Sequence, residues 1–193
     1  MISQESYVRR GTMKPDEKLS RRQFIERTAA SGLAVNAIPA SVLGAGGGTS
    51  PSDKINVALI GCGTQGLKML KGWLRQPELQ FTAVCDPNKE RWDYPGWGSP
   101  RGEKRGIHGG RKVGQERINQ FYAEQRGKGN YSGCAAYADF RELLEKEKDL
   151  DAVFVLTPDH LHATIAVAAM KRGVMVATHK PIGNYIYETR VSC

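Results

Sequence analysis

The stretch "VALIGCGTQGLKML", residues 57–70, is the strongest indication of the fold of this 193-residue chain. A short apolar run leads directly into three glycines, Gly61, Gly63 and Gly66, and the glycines lead directly into an amphipathic run. Glycine loses more conformational freedom on folding than any other residue, so it is unfavourable inside strands and helices. Three glycines at one junction therefore predict a strand, a tight turn and a helix in immediate succession.

The same alternation continues along the chain. Short runs rich in Val, Ile, Phe and Ala are separated by stretches with helical periodicity. Strands separated by helices predict right-handed crossovers and a parallel sheet with helices on both faces, which is an α/β, doubly wound fold of the Rossmann type. The expected strands are 55–60, 81–86, 151–156 and 174–178, and the expected helices are 64–75, 138–149, 159–173 and one that begins near residue 185.

Composition narrows the class of protein. With 40% hydrophobic and 25% charged residues the sequence is typical of a globular protein, and no apolar run reaches the roughly 18 residues that a stable membrane span needs. The net charge is +8, but residues 101–130 carry eight Lys/Arg against three Asp/Glu. Much of the excess thus lies in 92–130, a Gly- and Arg-rich region without clear periodicity that we interpret as an insertion. No nucleic-acid-binding motif accompanies it, and we expect no nucleic-acid partner.

The N-terminal residues are typical of an export signal. Ser20 to Phe24 read S-R-R-x-F, and an Ala-rich, mildly apolar run with small residues follows. This pattern favours a twin-arginine signal over the alternative, a surface helix that begins with two arginines. We expect a signal region over 1–45, a Gly/Ser-rich linker over 46–54 and the Rossmann domain over 55–193. The expected partner of the signal is the twin-arginine export machinery, and the expected location is the periplasm.

The glycine spacing predicts a dinucleotide site because a strand precedes it and a helix follows it. In such folds Gly61 would permit the tight turn, Gly63 the close approach of the pyrophosphate, and Gly66 the close packing of helix on strand. The helix N-terminus, beginning at Thr64 and Gln65, would offer amide donors to the phosphates.

Asp86 completes the dinucleotide pattern. It ends the second expected strand, twenty residues after Gly66. A carboxylate at this position can accept hydrogen bonds from the adenosine ribose and would repel a 2′-phosphate, so NAD is favoured over NADP. Arg91 lies near enough in sequence to soften that preference.

Two further turns follow the third and fourth strands. Ligands of open parallel sheets bind outside the carboxyl ends of the strands, so both turns should face the nucleotide. Three of the chain's four histidines lie in them, but no Cys or carboxylate completes a metal site, and we expect no metal. The turns are "TPDHLH" and "HKP", which contain Thr157, Pro158, His160, His162, His179 and Lys180.

Together, "VALIGCGTQG", "AVCDPN", "DFRELLEKEKDLDAVFVLTPDHLHATIAVAAMKRG" and "HKP" resemble the glucose–fructose oxidoreductase / inositol dehydrogenase / MocA (Gfo/Idh/MocA) family. The resemblance implies that Lys180, in a turn where the family has E-K-P, polarises a substrate hydroxyl. It also implies that Thr157, Pro158 and His162 line the cofactor. His179 departs from the family's glutamate.

The resemblance also implies a second α/β domain that binds a sugar or polyol and contributes to a homo-oligomer. The sequence ends at Cys193, so we expect that this domain is missing from the chain. The leading hypothesis is an exported, NAD-dependent sugar or polyol oxidoreductase represented by its nucleotide domain. Two alternatives remain: a glycosidase that uses NAD for transient oxidation, and a nucleotide-binding remnant without turnover. Lys180 counts against the glycosidase, because such relatives tend to carry an apolar turn there.

Overall fold

The structure is a computed structural model that describes residue 50 and residues 53–96, 106–127 and 129–192. The predicted signal region, and most of the predicted linker, lie outside these ranges. The prediction of a twin-arginine signal therefore stays a prediction.

Seven strands, five α-helices and one short 3₁₀-helix make up the described part of the chain. The strands are β1 (Ile55–Ile60), β2 (Leu79–Cys85), β3 (Arg91–Tyr94), β4 (Ile107–Gly109), β5 (Ala135–Tyr137), β6 (Ala152–Val155) and β7 (Met175–Thr178). The α-helices are α1 (Thr64–Trp73), α2 (Arg111–Gln125), α3 (Phe140–Lys146), α4 (His162–Met170) and α5 (Ile186–Ser192), and the 3₁₀-helix is Asp159–Leu161.

Five of the strands form one parallel sheet in the order β5-β2-β1-β6-β7. The chain moves outward from β1 through β2 to β5, then crosses to β6 on the other side of β1 and continues to β7. This order reverses direction between β1 and β6, which is the topological switch point of a doubly wound sheet. The predicted α/β Rossmann-type fold is confirmed.

The alternation of side chains along β1 divides the core into two layers. Val57 and Leu59 face the layer that α1 and α2 cover, whereas Ala58 and Ile60 face the layer that α3 and α4 cover. All four side chains are buried, as the continuous apolar run of a central parallel strand predicts. The two layers hold the carboxyl end of β1, and thus the glycine turn, in a fixed place.

The region 92–130 contains more regular structure than its sequence indicated. Residues 111–125 form α2, the crossover helix between β2 and β5, so among the described residues of this region the antiparallel pair β3–β4 is what is added to the doubly wound core. The absence of a clear apolar face in α2 hid it: Val113, Ile118 and Tyr122 are buried among polar and charged neighbours. The prediction of an unpatterned insertion across all of 92–130 is therefore wrong for its second half.

Among the described residues, no helix is both long and apolar enough to cross a membrane.

Candidate functional site

A cavity of about 810 Å³ opens at the carboxyl edge of the parallel sheet, beside the switch point between β1 and β6. Its walls come from the turns after β1, β2, β6 and β7 and from the end of β3. Of the ten residues predicted to bind cofactor or react, eight line it: Gly61, Gly63, Thr64, Gln65, Asp86, Thr157, Pro158 and Lys180. The other two, Gly66 and His162, lie behind the lining.

The glycine turn is built by close approach of backbone to backbone. Gly61 has φ +99°, and a Cβ there would lie 2.5 Å from the carbonyl oxygen of Leu156, the residue after β6. A Cβ on Gly66 would overlap the carbonyl oxygen of Gly61 itself. Both glycines are therefore required by the packing of α1 against the β1–β6 edge, and the same packing aims the N-terminus of α1 at the cavity.

Asp86 is 4% exposed, and protein donors surround it. Its Oδ2 accepts the backbone N–H of Cys62 at 2.9 Å. Its Oδ1 accepts the backbone N–H of Asn88 at 2.9 Å and the hydroxyl of Tyr94 at 2.8 Å. The carboxylate thus fixes the turn after β1 and at the same time lines the cavity.

The end of β3 forms a cavity wall that sequence reasoning missed. Tyr94 and Pro95 line the cavity, and the hydroxyl of Thr64 donates to the Pro95 carbonyl at 2.5 Å. Burial raises the pKa of the Tyr94 phenol, with the neighbouring Asp86 carboxylate acting in the same direction, so the phenol keeps its proton and donates a hydrogen bond to Asp86. The pairing of β3 with β4 depends on residues far apart in sequence, which left no local signal for this wall.

Arg91 does not line the cavity. Its guanidinium pairs with the carboxylate of Asp93 on the exposed strand β3, and this pair raises the pKa of Arg91 and lowers that of Asp93. The expectation that Arg91 softens the preference for NAD therefore has no support in the geometry.

His162 joins the two turns that carry the predicted reacting residues. The ring is 1% exposed; its Nε2 lies 2.9 Å from the Thr157 carbonyl oxygen and its Nδ1 lies 2.6 Å from the Pro181 carbonyl oxygen. Each oxygen can only accept, and a neutral imidazole carries one N–H, so one of these contacts is a full hydrogen bond in either tautomer. His162 thus supports the cavity from behind.

The turn after β7 forms another wall. Lys180, which is exposed, and His179 line the cavity from this turn, beside Asp159 and His160 of the 3₁₀-helix that follows β6. The backbone N–H of His179 donates to the carbonyl of Val155, the last residue of β6, at 3.1 Å, which extends the β6–β7 pairing into the turn. A cationic amine therefore stands at the opposite side of the switch point from Asp86.

One buried polar group of the site is unpaired, and a metal-binding cluster is absent among the described residues. The Thr157 hydroxyl is buried and has no hydrogen-bond partner among the described residues, although its residue lines the cavity. Within those same residues, no cluster of three His, Cys, Asp or Glu side chains could hold a metal ion.

Comparison with known proteins agrees with this geometry. Residues 106–190 match the family model described as "Oxidoreductase family, NAD-binding Rossmann fold" (GFO_IDH_MocA). For these residues, the resemblance to the Gfo/Idh/MocA family is confirmed. The match covers both turns with the predicted reacting residues, whereas the glycine motif lies before it.

Curated relatives extend the similarity over the glycine motif. A glycosyl hydrolase family 109 protein from Solibacter usitatus is 27% identical over 177 residues, which is 89% of this chain and 35% of the relative. A glycosyl hydrolase family 109 protein from Stenotrophomonas maltophilia is 29% identical over 158 residues, which is 82% of this chain and 29% of the relative. The chain thus spans about a third of the length of these relatives.

Among solved structures, the scyllo-inositol dehydrogenase from Lactobacillus casei with bound NAD(H) and scyllo-inositol aligns with a TM-score of 0.48. The alignment is 16% identical and covers 72% of this chain and 32% of that one.

Proposed function

We propose that this chain is the nucleotide-binding domain of an NAD-dependent oxidoreductase that acts on a hydroxyl of a sugar or polyol. One observation carries the proposal: a single cavity at the switch point contains the glycine turn, a buried carboxylate and a lysine. The family match of residues 106–190, whose description names an NAD-binding Rossmann fold, supports it.

The residues present fit NAD at one end of the cavity. Gly61, Gly63, Thr64 and Gln65 line the cavity, so a pyrophosphate there can approach the backbone of the turn and the N-terminus of α1. Asp86 would accept a hydrogen bond from the adenosine ribose, and its negative charge opposes a 2′-phosphate, which favours NAD over NADP. When bound there, NAD supplies a hydride acceptor.

The other end of the cavity carries the polar groups that would meet a substrate. Lys180 would hold the substrate hydroxyl by donating a hydrogen bond and would stabilise negative charge on its oxygen as the proton leaves. The unpartnered hydroxyl of Thr157 is a further donor that can meet a ligand at this end. His162 would hold the turn that contains Thr157 and the turn that contains Lys180 next to each other, without touching the substrate.

A glycosidase that oxidises its sugar transiently is the second candidate. The curated relatives named as glycosyl hydrolase family 109 proteins favour it. Lys180 in the cavity favours net oxidation instead, because it places a cationic group where a substrate hydroxyl would be polarised. Both candidates share the binding of NAD and the removal of hydride from a sugar carbon, and they differ in what leaves the enzyme.

We also propose that the protein is exported to the periplasm through the twin-arginine route. The sequence from Ser20 to Phe24 and the Ala-rich run after it support this. That route carries folded proteins, which suits an enzyme that must acquire its nucleotide before export.

Calorimetric titration with NAD tests the proposed site. We expect wild-type protein to bind NAD, and Asp86→Ala to weaken binding by on the order of tenfold or more, since hydrogen bonds to a charged group are lost. Asp93→Ala is the matched control, because that carboxylate pairs with Arg91 outside the cavity. Equal affinity of wild type and Asp86→Ala would show that the carboxylate does not hold the ribose.

Product analysis separates the two candidates. Protein with NAD is incubated with polyols and with glycosides, and both NADH and released sugar are measured. Net NADH formation that Lys180→Met abolishes supports the oxidoreductase. Sugar release without net NADH supports the glycosidase, and NAD binding with neither product supports a nucleotide-binding remnant.

A further inference from the structure

We propose that the hydroxyl of Tyr94 competes with the adenosine ribose for Asp86, and so sets the affinity of this site for nucleotides with an intact ribose diol. The inference rests on the proposed nucleotide site. It concerns a residue of the β3–β4 pair, which is the addition to the doubly wound core.

The Asp86 carboxylate has few acceptor positions left for a ligand. A carboxylate offers about four lone-pair positions, two on each oxygen. On Asp86, Oδ1 already accepts the Asn88 N–H and the Tyr94 hydroxyl, and Oδ2 already accepts the Cys62 N–H. No further donor among the described residues bonds to Oδ2, so one position remains there. The two hydroxyls of a ribose diol need two positions, so the structure as it stands can satisfy only one of them.

Of the three donors, only the Tyr94 hydroxyl is free to be given up without disturbing the backbone. The Cys62 and Asn88 donors are backbone N–H groups of the turns after β1 and β2, and their loss would leave those turns without a partner. The tyrosine hydroxyl is a side-chain donor that also accepts a hydrogen bond from the Asn88 amide at 3.0 Å. A ribose hydroxyl that enters at Oδ1 therefore displaces the phenol.

The position of the phenol is fixed by its ring. A Cβ on Gly63 would lie 2.9 Å from Tyr94 Cδ1, and a Cβ on Gly109 would lie 2.9 Å from Tyr94 Cδ2. The ring is therefore wedged between the glycine turn and β4, with opposite edges against two glycines. The backbone N–H of Gly110 donates to the Cys62 carbonyl at 2.9 Å and fastens β4 to the same turn. This packing of the Tyr94 ring places its hydroxyl at Oδ1 of Asp86. Phenylalanine at position 94 would keep the packing of the ring and remove the hydroxyl.

ADP and 2′-deoxy-ADP are the probes, because they contain the adenosine ribose and the pyrophosphate but no nicotinamide. For wild-type protein we expect similar affinities, within about twofold, since one hydroxyl suffices to fill the one free position. For Tyr94→Phe we expect ADP to bind roughly tenfold more tightly and the affinity for 2′-deoxy-ADP to be unchanged. The substitution frees one acceptor position on the charged Asp86 carboxylate, and only a nucleotide with a second ribose hydroxyl can use it.

Tyr137→Phe is the matched control. Its hydroxyl donates to the Glu147 carboxylate at 2.6 Å, and its side chain does not line the cavity, so it removes a similar hydrogen bond elsewhere. We expect it to change the affinity for neither nucleotide.

Each outcome decides the inference. A gain for ADP alone in Tyr94→Phe supports it. No gain, an equal gain for both probes, or a loss overturns it. Should Tyr94→Phe fail to fold, the wild type alone decides: binding of ADP tenfold more tightly than 2′-deoxy-ADP would show that both hydroxyls already reach Asp86, and would overturn the competition. If wild-type protein binds neither NAD nor ADP, the proposed nucleotide site fails and the inference fails with it.

Discussion

His162 lies with its Nδ1 2.6 Å from the carbonyl oxygen of Pro181, nineteen residues further along the chain. Its Nε2 lies 2.9 Å from the carbonyl oxygen of Thr157 on the other side of the ring. One buried side chain therefore spans the turns after β6 and β7 and holds Thr157 and Lys180 on the same side of the cavity. The family resemblance implied that His162 lines the cofactor, and the structure places it behind the residues that would touch the cofactor.

Truncation of His162 should destabilise the protein and loosen the turn after β7. We expect His162→Ala to lower the free energy of unfolding by roughly 2–4 kcal/mol, because a buried ring and its hydrogen bond are lost while the carbonyl oxygens of Thr157 and Pro181 lose their contact with it. Urea denaturation measures the loss. Hydrogen exchange should show faster exchange of the His179 amide, which donates to Val155, than in wild type. His160→Ala, at an exposed position of the neighbouring 3₁₀-helix, is the control and should change neither quantity appreciably.

Gly66 and Gly72 lie in the same helix and predict opposite effects of the same substitution. A Cβ at Gly66 would overlap the Gly61 carbonyl oxygen, so Gly66→Ala should cost about 3 kcal/mol or more, since backbone must move. A Cβ at Gly72 would meet nothing within 4 Å, so Gly72→Ala should stabilise the protein by up to about 1 kcal/mol. Urea denaturation of the pair measures both. A tolerated alanine at Gly66 would contradict the close packing of α1 on the glycine turn.

How far the sequence predicts this site depends on whether each signal is local. Local motifs of a few consecutive residues predicted most of the site: the glycine turn, Asp86 and the two turns after β6 and β7. Tyr94 was missed because its place depends on the pairing of β3 with β4, in which Tyr94 lies opposite Ile107 with twelve residues between them in the chain. The strand β5 was missed because three residues, Ala135–Tyr137, carry too little periodicity.

Export should depend on the arginine pair of the N-terminal sequence. We expect replacement of Arg21 and Arg22 by lysine to prevent accumulation in the periplasm, because the twin-arginine route requires that pair. Cell fractionation followed by immunoblotting measures the distribution. Replacement of Arg9 and Arg10, a second arginine pair nearer the N-terminus, is the matched control and should leave export unchanged. Continued periplasmic accumulation of the Arg21/Arg22 variant would remove the twin-arginine proposal.

Alkaline pH should destabilise the Rossmann domain through its buried thiols. Burial raises the pKa of Cys85 to about 12, with the Asp86 carboxylate adding to the effect, and burial raises the pKa of Cys134 to about 12. In the unfolded chain these thiols would ionise near their ordinary pKa of 9.0, so the unfolded state binds fewer protons between about pH 9 and 12. The free energy of unfolding should therefore fall as pH rises through that window, by up to about 1.4 kcal/mol per pH unit for each thiol.

Urea denaturation across the same pH range measures this slope, and Cys134→Ala isolates one contribution. The substitution lowers stability at neutral pH because it removes a buried side chain, but it should also make the alkaline slope shallower, since one group no longer titrates differently in the two states. Tyr137→Phe offers a second comparison, because burial and the hydrogen bond to Glu147 raise the pKa of Tyr137 to about 12. It should flatten the slope only above about pH 10, where an unfolded tyrosine begins to ionise. If stability falls with pH equally steeply in wild type and Cys134→Ala, the Cys134 thiol just before β5 is not a neutral, buried group.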